Sequence, residues 1–344
     1  MTGRLVDSVV DRAVRIVERA TAKANSNVAL AKYWGKRDEV LNLPYTGSIS
    51  VSLAGLSTTV GVEFGASLAA DSLTLNGSAA SEREARRITS FLDLVRQAAR
   101  SDQRAQVDVR SNFPVAAGLA SSASTFAAMA LAATRALGLS LSPRDLSVLA
   151  RRGSGSAARS IFGGYVEWFA GESSDGTDSF AEQLAPPEHW RLGVAIAITD
   201  EKRKKVGSRE GMMLAAKESP FFPAWLESHD ADLDVVRRGI RERDLVAVGQ
   251  AAERNCLKMH AVAIAANPPL LYWTPSTLAV IRRVWRLREE GIEAFFSIDA
   301  GPQVKVLCPW AQRATVADAL GRVTGVLRVL LSEPGGGVEL VGAA

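Results

Sequence analysis

The strongest constraint on this chain is a run of small residues that leads directly into a helix, residues 111–123 (SNFPVAAGLASSA). No bulky side chain covers the backbone amides before the helix, and the hydroxyls of Ser121 and Ser122 stand at its predicted start. A helix N-terminus carries partial positive charge, so the run is suited to binding phosphate. Close packing of small residues at a helix start would give the same pattern, and the run alone leaves both interpretations open.

The two best-known phosphate-binding motifs do not explain this run. The only Gly-Lys pair, Gly35-Lys36, precedes Arg37 and lacks the upstream glycine of a Walker A motif. Residues 153–158 (GSGSAA) match G-x-G-x-x-A, but a predicted helix precedes them and a predicted strand follows. That order is the reverse of a dinucleotide-binding unit, so the dinucleotide interpretation fails.

Length and composition indicate a globular protein with two domains that share a cleft. The chain has 344 residues, 47% of them hydrophobic and 23% charged. A net charge of +4 over this length, with 6% aromatic residues, does not predict a nucleic-acid-binding surface. Cys256 and Cys308 lie in apolar segments, which predicts buried free thiols and a reducing compartment.

The first twenty residues predict an amphipathic helix that forms an extension to the fold. Charged residues interrupt its apolar positions, so it lacks the apolar core of a signal peptide. No run in the sequence is long and apolar enough to span a bilayer. We therefore expect a cytoplasmic protein without a membrane partner.

Apolar periodicity and turn signals predict mixed strands and helices. Strands are expected at 21–30, 48–54, 58–64, 105–110, 164–170, 192–198, 295–298, 303–307 and 325–331. Helices are expected at 81–99, 121–137, 142–152, 232–242, 245–264, 275–290 and 310–324, and residues 201–210 are expected to be a charged loop. Ser81 is the expected cap of the first helix, and Ser142, followed by Pro143 at the first helical position, is the expected cap of the third. The elements lack a strict βαβ rhythm, which favours an α+β fold. A polar, turn-rich stretch marks a boundary near 171–190.

Residues 112–122 resemble motif 2 of the GHMP small-molecule kinases, roughly Pro-x-x-x-Gly-Leu-x-Ser-Ser-Ala. Further segments resemble the diphosphomevalonate decarboxylases of that superfamily and occur in family order within 21–308. They are residues 31–38 (AKYWGKRD), 41–44 (LNLP), 48–51 (SISV), 153–160 (GSGSAARS), 163–164 (GG), 207–212 (GSREGM) and 299–302 (DAGP). Such an ordered set is far more specific than any single motif. The chain departs from the family pattern at Asn25, at Ser124-Thr125 and at Gln303, where asparagine is typical.

The resemblance implies a two-domain, GHMP-kinase-like α+β fold. Its N-terminal domain would resemble ribosomal protein S5 domain 2, its C-terminal domain would be ferredoxin-like, and the active site would lie in the cleft between them. We assign 1–20 to the helical extension, 21–185 to the N-terminal ATP-binding domain and 186–344 to the C-terminal domain. The resemblance also implies a homodimer.

The resemblance also assigns the site residues. ATP binding falls to Asn112, Pro114, Ala117, Gly118, Leu119, Ala120, Ser121 and Ser122. Substrate binding falls to Tyr33, Lys36, Ser154, Ser156, Arg159, Ser208 and Arg209. Mg²⁺ would arrive with ATP, near Ser121 or Ser122. No protein-only metal site is expected, because the three histidines, His189, His229 and His260, lack metal-ligand spacing.

Three residues are predicted to be catalytic: Lys32, Arg159 and Asp299. Each could instead have an ordinary structural role. Lys32 and Lys36 flank Tyr33-Trp34 and would in isolation form a solvated pair. The resemblance places them at the substrate diphosphate and the transferred phosphoryl group. Arg159 is the only charged residue between Arg152 and Glu167. A buried arginine needs an anion, either in a structural ion pair or in a bound carboxylate or phosphate.

Asp299 is the predicted catalytic carboxylate. It follows an apolar strand and precedes the turn Ala300-Gly301-Pro302. Aspartate at such a position often accepts hydrogen bonds from its own loop. The resemblance instead places it beside the tertiary hydroxyl of the substrate.

The function implied by the resemblance is ATP-dependent decarboxylation of mevalonate 5-diphosphate to isopentenyl diphosphate, a carboxy-lyase step of the mevalonate pathway in isoprenoid biosynthesis. The tertiary 3-hydroxyl would be phosphorylated, after which phosphate and CO₂ leave. One alternative is a decarboxylase of the monophosphate, and another is a GHMP kinase that phosphorylates without decarboxylation. A third is a catalytically inactive nucleotide sensor.

Overall fold

The computed structural model describes residues 18–114, 119–202 and 205–342. The helix that we predict for residues 1–20 lies almost wholly outside these ranges, and the prediction is wrong at Arg19 and Ala20, which begin the first strand. Ala117 and Gly118 of the predicted ATP-binding set also lie outside the described residues.

The strands, in chain order, are β1 (Arg19–Ala31), β2 (Lys36–Asp38), β3 (Leu43–Pro44), β4 (Ser48–Gly65), β5 (Ser72–Leu75), β6 (Ser78–Ala79), β7 (Arg104–Ser111), β8 (Tyr165–Trp168), β9 (Ala181–Ala185), β10 (Leu192–Ile198), β11 (Phe295–Ser297), β12 (Val304–Pro309), β13 (Arg328–Ser332) and β14 (Glu339–Leu340). The helices are α1 (Glu82–Ala99), α2 (Ser121–Ala136), α3 (Pro143–Gly153), α4 (Ser208–Glu218), α5 (Phe222–Glu242), α6 (Leu245–Ile264), α7 (Pro275–Glu289) and α8 (Arg313–Gly321). Short 3₁₀ helices cover Gly155–Ile161, Pro187–His189 and Trp310–Gln312.

Two main sheets organise these strands. The large sheet has the order β14-β1-β4-β7-β5-β6, with β8 paired to β4 and β9 paired to β8. The small sheet is antiparallel with the order β11-β12-β10-β13, and β2 and β3 form a separate hairpin. All described strands before residue 186 lie in the large sheet or the hairpin. The domain bounds 21–185 and 186–344 remain our proposal.

One long strand replaces two predicted ones. We predict separate strands at 48–54 and 58–64, but β4 runs continuously through Gly55, which has a φ of 78°. The first part of β4 pairs with β8 and the last part with β7, while β1 lies along both. The apparent break in the sequence pattern is therefore a bend within one strand.

Local signals set the ends of two helices as predicted. The Ser81 hydroxyl accepts a hydrogen bond from the Glu84 backbone N–H, and the Glu84 carboxylate accepts one from the Ser81 N–H, which forms a capping box for α1. Ser142 caps α3 by accepting from the Asp145 N–H, and Pro143 occupies the first helical position.

The region between β10 and α6 differs most from the prediction. We predict a charged loop at 201–210 and a helix that begins at 232, whereas the structure has α4 from Ser208 and α5 from Phe222. The early part of α5 buries Phe222 and Trp225 against α4 and α6 in a core of their own. Smaller errors concern the predicted strand at 164–170, the last helix and the last strand, which occupy 165–168, 313–321 and 328–332.

The last described residues join the two sheets. After β13 in the small sheet, the Gly335 N–H donates to Ser52 O and the Ala54 N–H donates to Glu333 O, both at 2.9 Å. Strand β14 then pairs antiparallel with β1, Leu340 opposite Ala22. Between residues 18 and 342, outside the two undescribed gaps, no helix is long and apolar enough to cross a membrane.

Candidate active site

A cavity of about 1220 Å³ lies where the large sheet, α2 and the 3₁₀ helix Gly155–Ile161 face α4, α6 and the turn after β11. It brings together every residue that we predict to be catalytic or substrate-binding: Lys32, Tyr33, Lys36, Ser154, Ser156, Arg159, Ser208, Arg209 and Asp299. Of the predicted ATP-binding residues, Ala120, Ser121 and Ser122 line the cavity, whereas Asn112, Pro114 and Leu119 do not.

Two buried lysines hold the carboxylate of Asp299. Lys32 Nζ donates to Oδ1 at 2.7 Å, and Lys305 Nζ donates to Oδ2 at 2.9 Å. The lysine side chains are 1% and 2% exposed, against 22% for Asp299. Burial alone would raise the pKa of Asp299, but the charges of Lys305 and Lys32 outweigh it and hold that pKa well below its usual range. Asp299 is therefore an ionised carboxylate with both oxygens engaged.

The solvated-pair interpretation is wrong for Lys36 and for Lys32, because both are buried. Lys32 has further partners in the fold. Its ammonium also donates to Ala29 O at 2.9 Å and to the Ser297 hydroxyl at 2.6 Å. Its backbone N–H donates to Asn255 Oδ1 at 2.7 Å, and Asn255 Nδ2 donates to Asp232 Oδ2 at 2.9 Å. Helices α5 and α6 thus fix the backbone that carries the ammonium.

Sequence reasoning missed Lys305, because a lysine between valines in a strand is typical of a solvent-facing position. The register of the β11–β12 hairpin places Lys305 opposite Ser297, which also contacts Lys32. Antiparallel pairing across the Asp299 turn was the signal that could have placed Lys305 beside the carboxylate.

Arg159 is buried without a carboxylate partner. Its Nε donates to the Ser50 hydroxyl at 2.9 Å, Nη1 to the Ser48 hydroxyl at 2.5 Å, and Nη2 to Asn27 Oδ1 at 3.2 Å. Burial lowers the pKa of the guanidinium to about 10, and the negative charge of Asp299 opposes that shift. Within the described ranges Arg159 makes no salt bridge, so the structural ion pair is not found and its charge remains available to an anion.

The start of α2 offers backbone donors to the same cavity. Ala120, at its N-cap, has a left-handed φ of 52°, and no side chain caps the helix there. Hydroxyls follow along the wall, with Ser122 and Ser154 at 3.4 Å and Ser154 and Ser156 at 3.4 Å. An uncapped helix start beside hydroxyls suits phosphate oxygens.

Tyr33 presents a hydroxyl that has no hydrogen-bond partner among the described residues. Its ring packs edge-on against Trp168, with 4.7 Å between centroids. The ring also lies over Gly155, where an added Cβ would come within 2.7 Å of it. Burial raises the pKa of Tyr33 well above its ordinary value, so the hydroxyl remains a donor.

Several polar residues in or near the family motifs form hydrogen bonds that stabilise the fold. The Asn112 amide accepts from the Ser57 N–H at 2.9 Å and donates to Gly55 O at 2.8 Å, across the bend of β4. Gln303 accepts from the Thr199 N–H at 2.7 Å and also donates to Asp200 O. The Gln303 side chain thus forms hydrogen bonds with the backbone groups that follow β10. The other departures are also bonded locally: Asn25 donates to Gly336 O, and the Ser124 and Thr125 hydroxyls donate to Ser121 O.

Beneath the Asp299 turn lies a buried pair, His260 and Cys256. Both side chains contact the Ile298 carbonyl, at 3.2 Å and 3.4 Å. Burial lowers the pKa of His260 to about 3 and raises that of Cys256 to about 11. The histidine is a neutral core residue, and both cysteines are buried free thiols, as predicted for the cysteines. No cluster of His, Cys, Asp or Glu able to hold a metal ion occurs in the described part of the chain.

Two models of known protein families match most of this chain. Residues 24–181 match the diphosphomevalonate decarboxylase-like N-terminal domain, and residues 194–328 match the mevalonate 5-diphosphate decarboxylase C-terminal domain. The diphosphomevalonate decarboxylase of Homo sapiens is 37% identical over 306 residues, which cover 83% of this chain and 76% of the human protein.

Solved structures agree with the fold. The crystal structure of mevalonate diphosphate decarboxylase from Staphylococcus aureus has a TM-score of 0.89 and 38% identity, covering 94% of this chain and 98% of that one. The enzyme from Enterococcus faecalis has a TM-score of 0.88 and 39% identity, covering 94% and 99%. The predicted two-domain, GHMP-kinase-like α+β fold is thereby confirmed. The chain belongs to the diphosphomevalonate decarboxylase family.

Proposed function

We propose that this protein catalyses the ATP-dependent decarboxylation of mevalonate diphosphate to isopentenyl diphosphate. The observation that carries the proposal is the Asp299 carboxylate, held by Lys32 and Lys305 in the cavity that also contains Arg159. A relative 40% identical to this chain is known in complex with MVAPP, AMPPCP and magnesium. This supports ATP with Mg²⁺ as the second substrate.

Binding of the nucleotide phosphates falls to the small-residue run and the start of α2. Our proposed set is Asn112, Pro114, Ala117, Gly118, Leu119, Ala120, Ser121 and Ser122. Ala120, Ser121 and Ser122 at the start of α2 line the cavity, and a helix N-terminus fits phosphate oxygens. The bonds of Asn112 within the bend of β4 assign it the support of this run rather than direct contact. Mg²⁺ would neutralise charge on the transferred phosphoryl group.

We assign binding of the other substrate to further residues that line the same cavity. Lys36, Ser208 and Arg209 face the diphosphate, and Tyr33, Ser154 and Ser156 add donors along it. Arg159 holds the carboxylate until it leaves. Its three neutral hydrogen bonds fix the guanidinium without cancelling its charge.

The first step makes a leaving group. The tertiary hydroxyl donates a hydrogen bond to Asp299, and its oxygen bonds to the γ-phosphorus while the bond from that phosphorus to ADP breaks. Because its pKa is held low, Asp299 is a weak base that orients the hydroxyl and accepts the proton only as the new bond forms. Lys32 offers positive charge next to the shifting phosphoryl group.

The second step releases CO₂. The bond between the tertiary carbon and the phosphate oxygen breaks, and phosphate leaves with that electron pair. The bond to the carboxylate carbon then supplies the electrons of the new alkene. Fixed charges in a site that excludes water usually make the largest contribution to such a step.

The direct test is a paired assay of purified protein with ATP, Mg²⁺ and each phosphorylated mevalonate. CO₂ and ADP released in equal amounts from the diphosphate support the proposal. ADP without CO₂ establishes a kinase, and a higher kcat/KM for the monophosphate establishes that substrate. Nucleotide binding without turnover establishes a sensor.

The Asp299→Asn variant tests the mechanism. Its turnover should fall by about 100-fold to 1000-fold, the usual loss when one group that stabilises the transition state is removed. Normal turnover in a folded variant would contradict the role of the carboxylate. ATP binding, measured alongside, separates this loss from unfolding.

We also propose a cytoplasmic homodimer. The buried free thiols suit a reducing compartment, and the family resemblance supports the dimer. Light scattering of the purified protein tests the dimer, and fractionation of cells tests the location.

A further inference from the structure

Asn42 lies where Lys36 and Arg209 meet, and the proposed mechanism gives it no role. It stands between β2 and β3 with a φ of 54°, a conformation that asparagine tolerates better than most residues. Its side chain is fully buried, yet it lines the cavity.

The orientation of the Asn42 amide follows from its hydrogen bonds. Nδ2 donates to Arg151 O at 3.0 Å and to Arg152 O at 2.7 Å. These carbonyls belong to the last turn of α3, where a helix leaves its acceptors without partners. A reversed amide would set oxygen against two carbonyl oxygens, and NH₂ against two cations. Oδ1 therefore points away from α3, towards Lys36 and Arg209.

That oxygen accepts hydrogen bonds from two basic side chains of different elements. Lys36 Nζ of β2 lies 2.6 Å from Oδ1, and Arg209 Nη2 of α4 lies 2.9 Å from it. In the part of the chain that the structure describes, neither cation forms a salt bridge with a carboxylate. A neutral acceptor fixes their positions while leaving both charges available. Lys36 is buried, and Arg209 adds a second, exposed positive charge beside it, so the pair favours an anion at this place.

We infer that Asn42 is a positioning residue that sets the spacing of Lys36 and Arg209, and thereby selects a substrate with a second phosphate over one with a single phosphate. The inference rests on the proposed function, since it assigns the basis of specificity within the same site. Asn42 acts through the two cations.

An asparagine suits this role better than an aspartate. A carboxylate at residue 42 would pair with Lys36 and Arg209 and compete with the phosphate of the substrate. It would also repel the carbonyls of Arg151 and Arg152. The amide supplies an acceptor on one side and donors on the other without adding charge.

The test compares Asn42→Gly with a matched control. Glycine adopts the left-handed backbone without strain and removes only the amide. The control is Asn76→Gly, an asparagine with a φ of 48° whose Oδ1 accepts from the Ser111 N–H at 2.8 Å and which does not line the cavity. For wild type and both variants, kcat and KM are measured with the diphosphate, the monophosphate and ATP. Calorimetric binding of the two mevalonate phosphates gives the same comparison without turnover.

Asn42→Gly should raise KM for the diphosphate about tenfold, the effect of losing one well-placed charged contact, and leave kcat and KM for ATP within about twofold. The preference for the diphosphate should fall by the same factor, and Asn76→Gly should leave all three unchanged. Equal losses with both substrates, or a loss in kcat alone, would overturn the inference. Wild-type protein that binds the diphosphate more tightly but releases no CO₂ would contradict only the proposed function.

Asn42→Asp provides a second variant with a readout that a purely structural role would not move. The charged groups around Lys36 are Arg209 on α4, Arg87 on α1 and Glu39 on its own turn, and burial with the two arginines lowers its pKa to about 7. KM for the diphosphate should therefore rise as pH increases through about 7 and Lys36 loses its proton. Aspartate should move that rise to higher pH, because it stabilises the ammonium. An unmoved profile in the folded variant would count against the contact.

Discussion

The ammonium of Lys305 lies 2.9 Å from Oδ2 of Asp299, and only 2% of the lysine side chain is exposed. Burial lowers the pKa of Lys305, whereas its ion pair with Asp299 opposes that shift. Each charge thus stabilises the other in a place where neither would be stable alone. Lys305 is therefore a buried partner of Asp299, the carboxylate that we propose to be catalytic, and is not a solvent-facing residue of the small sheet.

Replacing Lys305 with methionine should raise the pKa of Asp299, since one of the two ammonium groups that lower it is removed. The acid limb of the kcat/KM profile against pH should move to higher pH. Lys305→Arg keeps the charge and should leave the limb close to that of wild type. If the limb stays in place in a folded Lys305→Met protein, Lys305 does not control Asp299.

Arg159→Lys should lower kcat/KM by about 100-fold to 1000-fold, although the positive charge is kept. The guanidinium donates through three nitrogens, to Ser50, Ser48 and Asn27, and an ammonium cannot make the same arrangement. Steady-state kinetics and a thermal unfolding curve measure the effect. Near-normal kcat/KM would show that charge alone suffices at this position.

Gly155→Ala should raise KM for the phosphorylated mevalonate about tenfold, or about 1.4 kcal/mol. The added methyl group would lie 2.7 Å from the Tyr33 ring, which must move away from its place against Trp168. Gly336→Ala is the control, because nothing lies within 4 Å of a Cβ there. An unchanged KM for Gly155→Ala would contradict the proposal that Tyr33 binds the substrate.

His260 should make the protein less stable in acid. Burial lowers its pKa from an ordinary 6.5 to about 3, so the unfolded chain binds a proton that the folded protein excludes between these values. Its stabilisation is therefore complete above about pH 6.5 and is lost as pH falls towards about 3. Denaturant unfolding at about pH 7 and about pH 4.5 should show a loss about 2 kcal/mol smaller for His260→Gln than for wild type. If wild type and His260→Gln lose the same unfolding free energy, His260 is not the source of the acid sensitivity.

Patterns within one element were predicted well from the sequence. The limits of β10 and α6 agree with the predicted residues, because each is a single apolar pattern between clear turn signals. The capping residues Ser81 and Ser142 were also found, since a cap depends only on neighbours in the chain. The predicted catalytic and substrate-binding residues all reached one cavity, whereas only Ala120, Ser121 and Ser122 of the predicted ATP-binding set line it, and the roles of all of them stay proposals.

Features that depend on contacts between distant segments were not predicted. Asn42 has its role only because α3 ends above it and α4 approaches from the other side. Helix α5 was recognised only in its second half, since its first half buries Trp225 against α4 and α6 rather than against a sheet. Tertiary contacts of this kind override the local pattern.

The return of the chain to the large sheet bears on how the protein is made. Strand β1 has 13 residues, and its pairing with β14 at Ala22 and Lys23 forms only after residue 340 has left the ribosome. Until then this flank of β1 is an open sheet edge, a template for pairing with other chains. A chain that ends before residue 339 would therefore leave Ala22 and Lys23 unpaired on this flank and open to pairing with another chain.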